Sequence, residues 1–168
     1  MDIKNIETRM NTGIQLDESK AELTAEGLNV LLASYQVFYQ NLRGFHWNIK
    51  GEHFFTLHDK FEALYTRVAS EIDELAERVL MVGFVPLHSL EEFVSHSEIE
   101  SVSNVFDSIE SCSHVLSNCQ DILMPLRETI KLAAESGDDG TADMLTGFLR
   151  NMEKDVWMLT SFLEAEDE

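Results

Sequence analysis

Residues 45–78 read FHWNIKGEHFFTLHDKFEALYTRVASEIDELAER. Gly51 stands where a helix has to stop, and apolar residues at three- and four-residue steps run away from it in both directions. The pattern predicts a long helix ending near Ile49, a short turn, and a second helix starting near Phe54. In such an antiparallel hairpin His46 lies about as far before the turn as His58 lies after it, so the two imidazoles share one level. On the second helix, at about 100° per residue, His58, Glu62, Asp73 and Glu77 fall within an arc of roughly 100°. His58 and Asp73 are fifteen residues apart, roughly 22 Å along the axis. One chain cannot close a metal site with both. A second copy of the same helix, antiparallel across a two-fold axis near Thr66, would set Asp73 and Glu77 beside the other chain's histidines. The spacing thus predicts a pair of identical sites shared by two chains, drawn from His46, His58, Glu62, Asp73 and Glu77.

Upstream, Leu28, Leu31, Tyr35, Phe38, Leu42, Phe45 and Ile49 form one seam, and the first helix is expected to begin near Leu23–Glu26. Residues 1–22 have little periodicity and read as an N-terminal arm. Downstream, the second helix runs to about Val82, with Leu57, Phe61, Leu64, Val68, Ile72, Leu75 and Val79 on its core stripe. Gly83 and Pro86 end it. A connection of roughly twenty residues follows. Within it, Ser89-Leu90-Glu91-Glu92 has the form of an N-cap with an acidic first turn, which predicts a short helix Leu90–Val94. So long a link lets the chain cross the whole bundle before the next helix.

The third long helix is expected over Asn104–Glu135, with Val105, Ile109, Cys112, Leu116, Cys119, Leu123, Leu126 and Ile130 inward. Pro125 lies inside that series, and its missing amide donor predicts a kink or break near Asp121–Pro125. After the polar turn Ser136-Gly137-Asp138-Asp139-Gly140, a fourth helix is expected over Thr141–Leu163, with Leu145, Phe148, Met152, Val156, Leu159 and Leu163 inward. Residues 165–168 make an acidic tail. Residues 23–164 therefore read as one all-α unit, a four-helix bundle with a short helix in its long crossover.

The bulk properties agree. A chain of 168 residues suits one domain with its own core. Only two prolines and eight glycines favour helices throughout. The net charge of −19 repels nucleic acid and anionic lipid and attracts cations. No basic residue occurs between Arg78 and Arg127, and none follows Lys154. Neither a signal-peptide pattern nor an apolar run of membrane-spanning length is present, so a soluble cytoplasmic protein is expected. Cys112 and Cys119, on one helix face roughly 10 Å apart, are too distant to bridge and read as small core residues.

Imidazole with carboxylate suits divalent iron, manganese, zinc or cobalt, and iron leads because such a site can leave positions open for an oxidant. The competing reading is a solvated helix face, with Glu62, Asp73 and Glu77 paired to Lys60, Arg67 or Arg78 at helical spacing. A di-iron centre inside one bundle would need Glu-x-x-His. The residues three before the six histidines are Arg43, Lys50, Phe55, Val85, Phe93 and Ser111, so that centre is absent.

The sequences Phe45-His46-Trp47-Asn48, Gly51-x-x-Phe54-x-x-Leu57-His58 and Asp73-Glu74-Leu75-Ala76-Glu77-Arg78, followed by Gly83 and Pro86, resemble the Dps mini-ferritin family. Thr141-Ala142-Asp143 and Val156-Trp157-Met158-Leu159 are similar to its last helix. The resemblance covers about residues 25–163. It implies a ferritin-like bundle assembled into a hollow dodecamer that stores iron as ferric mineral, with Fe²⁺ oxidised by H₂O₂ in preference to O₂. It further implies a ferroxidase centre, mono- or di-iron, between two-fold-related subunits. There, His46 and His58 of one chain join Asp73 and Glu77 of the other, with Glu62 in support; Zn²⁺ and similar ions can occupy such a site. By position Trp47 matches a tryptophan that takes stray oxidising equivalents, or else an aromatic filling the interface. Asp138, Asp139 and Asp143 fall where the family has acidic pores for iron, or else form a turn and a helix cap. Members that bind DNA usually carry a lysine-rich arm, which this chain lacks, so direct DNA binding is not expected. The alternatives are a Dps-like DNA-binding or surface-interaction shell with a non-catalytic metal site, and a plain helical scaffold.

Overall fold

The computed structural model describes residues 12–166, in which five helices follow one another: α1 (Glu18–Asn48), α2 (Phe54–Met81), α3 (Leu90–His96), α4 (Ser108–Glu135) and α5 (Asp139–Glu166). Among the described residues there is no strand. Residues 1–11, half of the expected arm, and 167–168, in the expected tail, lie outside them. The four long helices form the bundle, α1 packing on α2 and α4, and α4 on α5, while the short α3 lies against α1. All seven seam residues of α1 are buried, as are all those of α2 except the half-buried Ile72. Cys112 and Cys119 are free and buried in the same core.

Capping chemistry explains where the boundaries differ from expectation. α1 starts at Glu18, inside the stretch expected as arm, because the Asp17 carboxylate accepts the Lys20 amide at 3.2 Å. α4 starts at Ser108 rather than Asn104, because Asp107 accepts the Ile109 and Glu110 amides at 2.9 and 3.0 Å. Ser89 and Glu92 form a reciprocal capping box, and α3 runs on to His96. α2 and α4 end alike. The Phe84 amide reaches the Val79 carbonyl and that of Asp138 reaches Ala133, while Gly83 and Gly137 take the left-handed conformation this closure requires.

Of the kink or break expected in α4 the break does not occur, and the expected inward face needs correction. Its helix continues through Pro125 without a break, because Ile122, Leu126, Thr129 and Ala133 around it are packed in the core, which outweighs one lost hydrogen bond. Its inward face is also rotated. Val115, Ile122 and Ala133 join Cys112, Cys119 and Leu126 in the core, whereas Ile109, Leu116, Leu123 and Ile130 are half-buried along one flank. The polar residues Ser111 and Asn118 sit on the buried side, which apolar periodicity could not register.

Asn118 is buried because it has a partner on α1. Asn41 donates to the Asn118 side-chain oxygen at 3.1 Å and to the Glu100 carbonyl at 3.0 Å, and accepts the Val102 amide at 3.1 Å. Further up α1, Ser34 accepts the Glu98 amide at 3.0 Å. Asn29 donates to the Val85 carbonyl and accepts the Leu87 amide, at 3.3 and 2.9 Å. Three polar residues of α1 thus pin the backbone of the long crossover at successive points. Each supplies a partner for a part-buried amide of the crossover, where a fully buried amide left unpaired would cost about 1–3 kcal/mol.

Candidate metal centre

The hairpin between α1 and α2 builds the site. Phe45, Ile49, Leu57 and Phe61 anchor its two arms in the core, with the Phe45 and Phe61 rings 6.0 Å apart. Above them His46 and His58 stack, ring centroids 3.8 Å apart and 22° from parallel. Each ring donates from Nδ1 to the other residue's backbone carbonyl, both at 2.9 Å. A carbonyl can only accept, so each imidazole carries its proton on Nδ1 and keeps an Nε2 lone pair for a metal. Phe54 stacks on His58 at 5.2 Å, and Tyr65 meets His46 edge-on at 5.3 Å. These contacts fix the orientation of both rings.

Glu62, one turn beyond His58, completes a group of three. A ligating atom of each of His46, His58 and Glu62 lies within 4.8 Å of the others. Asp73 and Glu77 are exposed further along α2 and do not enter this group. The cations that could have neutralised these carboxylates are engaged elsewhere. Arg67 pairs with Asp155 and with Glu71, Lys60 pairs with Asp155, and Arg78 pairs with Asp138. Among the described residues no ion pair reaches Glu62, Asp73 or Glu77. The solvated-face reading thus loses the salt bridges it depended on.

The other predicted residues separate. Trp47 is 57% exposed, and the Arg43 guanidinium lies 4.6 Å from its ring centroid. Asp138 is buried as the cap of α5. Its carboxylate accepts the Thr141 amide at 3.0 Å, the Thr141 hydroxyl and Arg78. Those contacts tie its carboxylate to α2 and to the first turn of α5. Asp139 and Asp143 remain exposed at the start of α5.

A family model for the ferritin-like domain matches residues 25–167. A solved Dps from Vibrio cholerae, described as a member of a broad superfamily of ferritin-like diiron-carboxylate proteins, superposes with a TM-score of 0.88 at 39% identity, covering 95% of this chain and 99% of its own. The chain belongs to the Dps branch of the ferritin-like family. A relative from Porphyromonas gingivalis, a DNA protection during starvation protein, is 40% identical over 88% of this chain and 92% of its own length. The Dps of Listeria innocua, solved after a zinc soak, has a TM-score of 0.80 at 32% identity, over 84% of this chain and 96% of its own.

This Dps-family chain also carries two clusters that the sequence reading missed. Tyr65 faces Glu62. Burial first, then the charge and hydrogen bonding of Glu62, raise its phenol above the ordinary value. Tyr65 meets Tyr39 edge-on at 6.0 Å, and the Arg43 guanidinium lies 5.3 Å from the Tyr39 ring centroid. The spacing was visible: Tyr65 follows Glu62 by three residues and Tyr39 precedes His46 by seven, both helical neighbours.

The second cluster joins α2 to α5 inside the bundle. Besides the two pairs to Asp155, Asn151 donates to Glu71 at 3.1 Å, and the Tyr35 hydroxyl is buried among these groups without a hydrogen-bond partner. Burial raises the Glu71 carboxyl to about 6, against the opposing pull of Arg67 and Asn151.

Proposed function

We propose that this chain is an iron-storing and detoxifying mini-ferritin of the cytoplasm. It oxidises Fe²⁺, with H₂O₂ in preference to O₂, at ferroxidase centres shared by two subunits, and keeps the ferric product as mineral inside a hollow dodecamer. One observation carries the reading: the reciprocal Nδ1–carbonyl bonds of His46 and His58, which leave two Nε2 atoms beside a carboxylate that has no ion pair among the described residues. A donor set of this kind fits Fe²⁺, and Zn²⁺ as a competitor. His46, His58 and Glu62 bind the substrate metal from one chain, and Asp73 and Glu77 complete the site from a two-fold mate. The dyad follows from reach, since Asp73 lies roughly 22 Å from His58 along α2.

In this reading the residues act mainly by placement. The carbonyl-bound imidazoles hold their lone pairs fixed, and the carboxylates balance the charge of the ferric product. Two ferrous ions give one electron each to one peroxide, which with two protons leaves as two waters, so no free radical is released. Asp139 and Asp143, exposed at the head of α5, supply the acidic approach for iron. Protection of DNA, named in the relatives, is here chemical, through removal of Fe²⁺ and peroxide. A chain of net charge −19 repels phosphate, and a gel shift at physiological salt is expected to show no complex.

The test is anaerobic addition of about two Fe²⁺ per subunit, then peroxide, following ferric absorbance. Wild type is expected to oxidise iron rapidly, while His46→Ala and Asp73→Ala each lose that phase. Mixing the two variants after dissociation and reassembly restores part of it, because some interfaces then pair two intact half-sites. Oxidation by wild type no faster than in buffer would sink the ferroxidase reading.

A further inference from the structure

A second set of oxygen atoms converges where three helices meet inside the bundle. Arg67 and Glu71 on α2, and Asn151 and Asp155 on α5, each stand one helical turn apart, and the Tyr35 hydroxyl of α1 lies among them. Glu71 and Asp155 are each only 3% exposed. Two carboxylates buried so deeply need a positive charge between them. Arg67 supplies it. Its Nη2 meets Asp155 and its Nε lies 3.3 Å from Glu71 Oε1, while Lys60 reaches Asp155 at 3.5 Å. The fit is incomplete, however. Arg67 Nε has no hydrogen-bond partner in spite of its nearness to Glu71, and the fully buried Tyr35 hydroxyl has none either.

We propose that the Arg67 guanidinium occupies the place of a divalent cation in the bundle core, and that Glu71, Asp155 and Tyr35 are the oxygen donors of a latent metal site which Arg67 keeps closed. The donor chemistry is that of a hard ion such as Mn²⁺ or Mg²⁺: two carboxylates, a phenol oxygen and, once its amide turns, the Asn151 carbonyl. This site differs from the hairpin centre in using no imidazole and in drawing every donor from one chain. A guanidinium suits the closing role because it is planar, reaches both carboxylates at once and does not deprotonate to make way. The entrance lies beside α5, where Asn151 is exposed and the Arg67 and Lys60 side chains each keep 30% of their surface. In the native chain Arg67 thereby confines metal to the hairpin centre and keeps the core free of it. The inference concerns binding alone and does not rest on the iron-oxidising reading.

The experiment uses the full chain carrying His46→Ala and His58→Ala, which removes the imidazoles of the hairpin, and titrates it with Mn²⁺ while electron paramagnetic resonance follows the free ion. Adding Arg67→Ala to that parent is expected to bind one further Mn²⁺ per chain, more tightly than any ion the parent holds. Asp155→Asn on top of it is expected to abolish the gain, and Arg67→Lys, which keeps the charge, not to produce one. Mn²⁺ should also raise the melting temperature of the Arg67→Ala chain more than that of the parent. A merely structural ion pair predicts a loss of stability with no such dependence on metal. Arg67→Gln, which keeps more of the side-chain volume, is titrated in the same way and decides the matter if the alanine chain does not fold. Equal Mn²⁺ binding with and without Arg67 overturns the proposal, as does a gain that survives Asp155→Asn or appears equally in Arg67→Lys. Iron oxidation at the hairpin, measured in the chain that keeps its histidines, stands or falls separately.

Discussion

Two polar clusters hang from the same helix and are built on opposite principles. His46 at the end of α1 meets His58 and Glu62 in the first half of α2 with no lysine or arginine in ion-pair contact among the described residues, their donor atoms within 4.8 Å of one another. Further along, Glu71 and the α5 residue Asp155 are buried with Arg67, and Lys60 reaches Asp155 from the rim. The residue types overlap, but the charge balance does not. The inner cluster contains its own counter-charges and acts as a joint between helices. Among the described residues the outer one has no such counter-charge. In a chain with 31 acidic side chains, the question that finds a site is which carboxylates the chain leaves unpaired.

The strongest way to break the comparison is to remove the inner cation. Arg67→Ala leaves Asp155 and Glu71 buried without their main partner and is expected to cost about 3–5 kcal/mol of stability. Thermal unfolding at fixed protomer concentration measures it, and a loss near zero would mean that the joint is not structural. At the outer cluster the effect should fall on metal instead. His58→Ala is expected to weaken Zn²⁺ binding by about 10–100-fold or more and to spare stability by comparison, read by calorimetric titration beside the melting curve. Glu62→Gln sharpens the point: it should also weaken binding, yet leave the metal-free melting temperature where it was, because no ion pair is lost.

A smaller effect, in pH, separates the clusters further. The folded Glu71 carboxyl sits at about 6 against an ordinary 4.5, so the folded chain binds the extra proton. The associated stabilisation is fully present below about pH 4.5 and is lost as pH rises through about 6, for a change of about 2 kcal/mol. Glu71→Gln should flatten denaturation midpoints across that window. A slope unchanged in the variant would assign the titration to another group.

What the sequence disclosed follows from where periodicity was the controlling force. On α1 and α2 the apolar stripe alone sets the buried face, and the level of His46 with His58 follows from the hairpin. On α4 it misled, because Asn118 and Ser111 occupy buried positions and turn the helix about its axis. Asp17 and Asp107 were readable as caps by residue type, but nothing in the spacing ranks one acidic residue above its neighbours. The destinations of Lys60, Arg67 and Arg78 depend on α5, some sixty to ninety-five residues away, which no local pattern encodes. The pairing of Asp138 was hidden for the same reason, since its partner is the half-buried Arg78 of α2.

The three polar residues by which α1 holds the crossover have a consequence for how such chains diverge. Asn29 fixes Leu87 and Ser34 fixes Glu98, so everything between those points, α3 included, is a loop whose two ends are already sewn down. Only Phe93 of α3 reaches the core, while Leu90 and Val94 face outward. Lengthening or replacing that segment changes a closed loop on a fixed base, which costs little chain entropy. The stitches set the base of this loop apart from its body, so a change in its length falls on the closed loop and not on the register of the bundle or its hairpin of histidines.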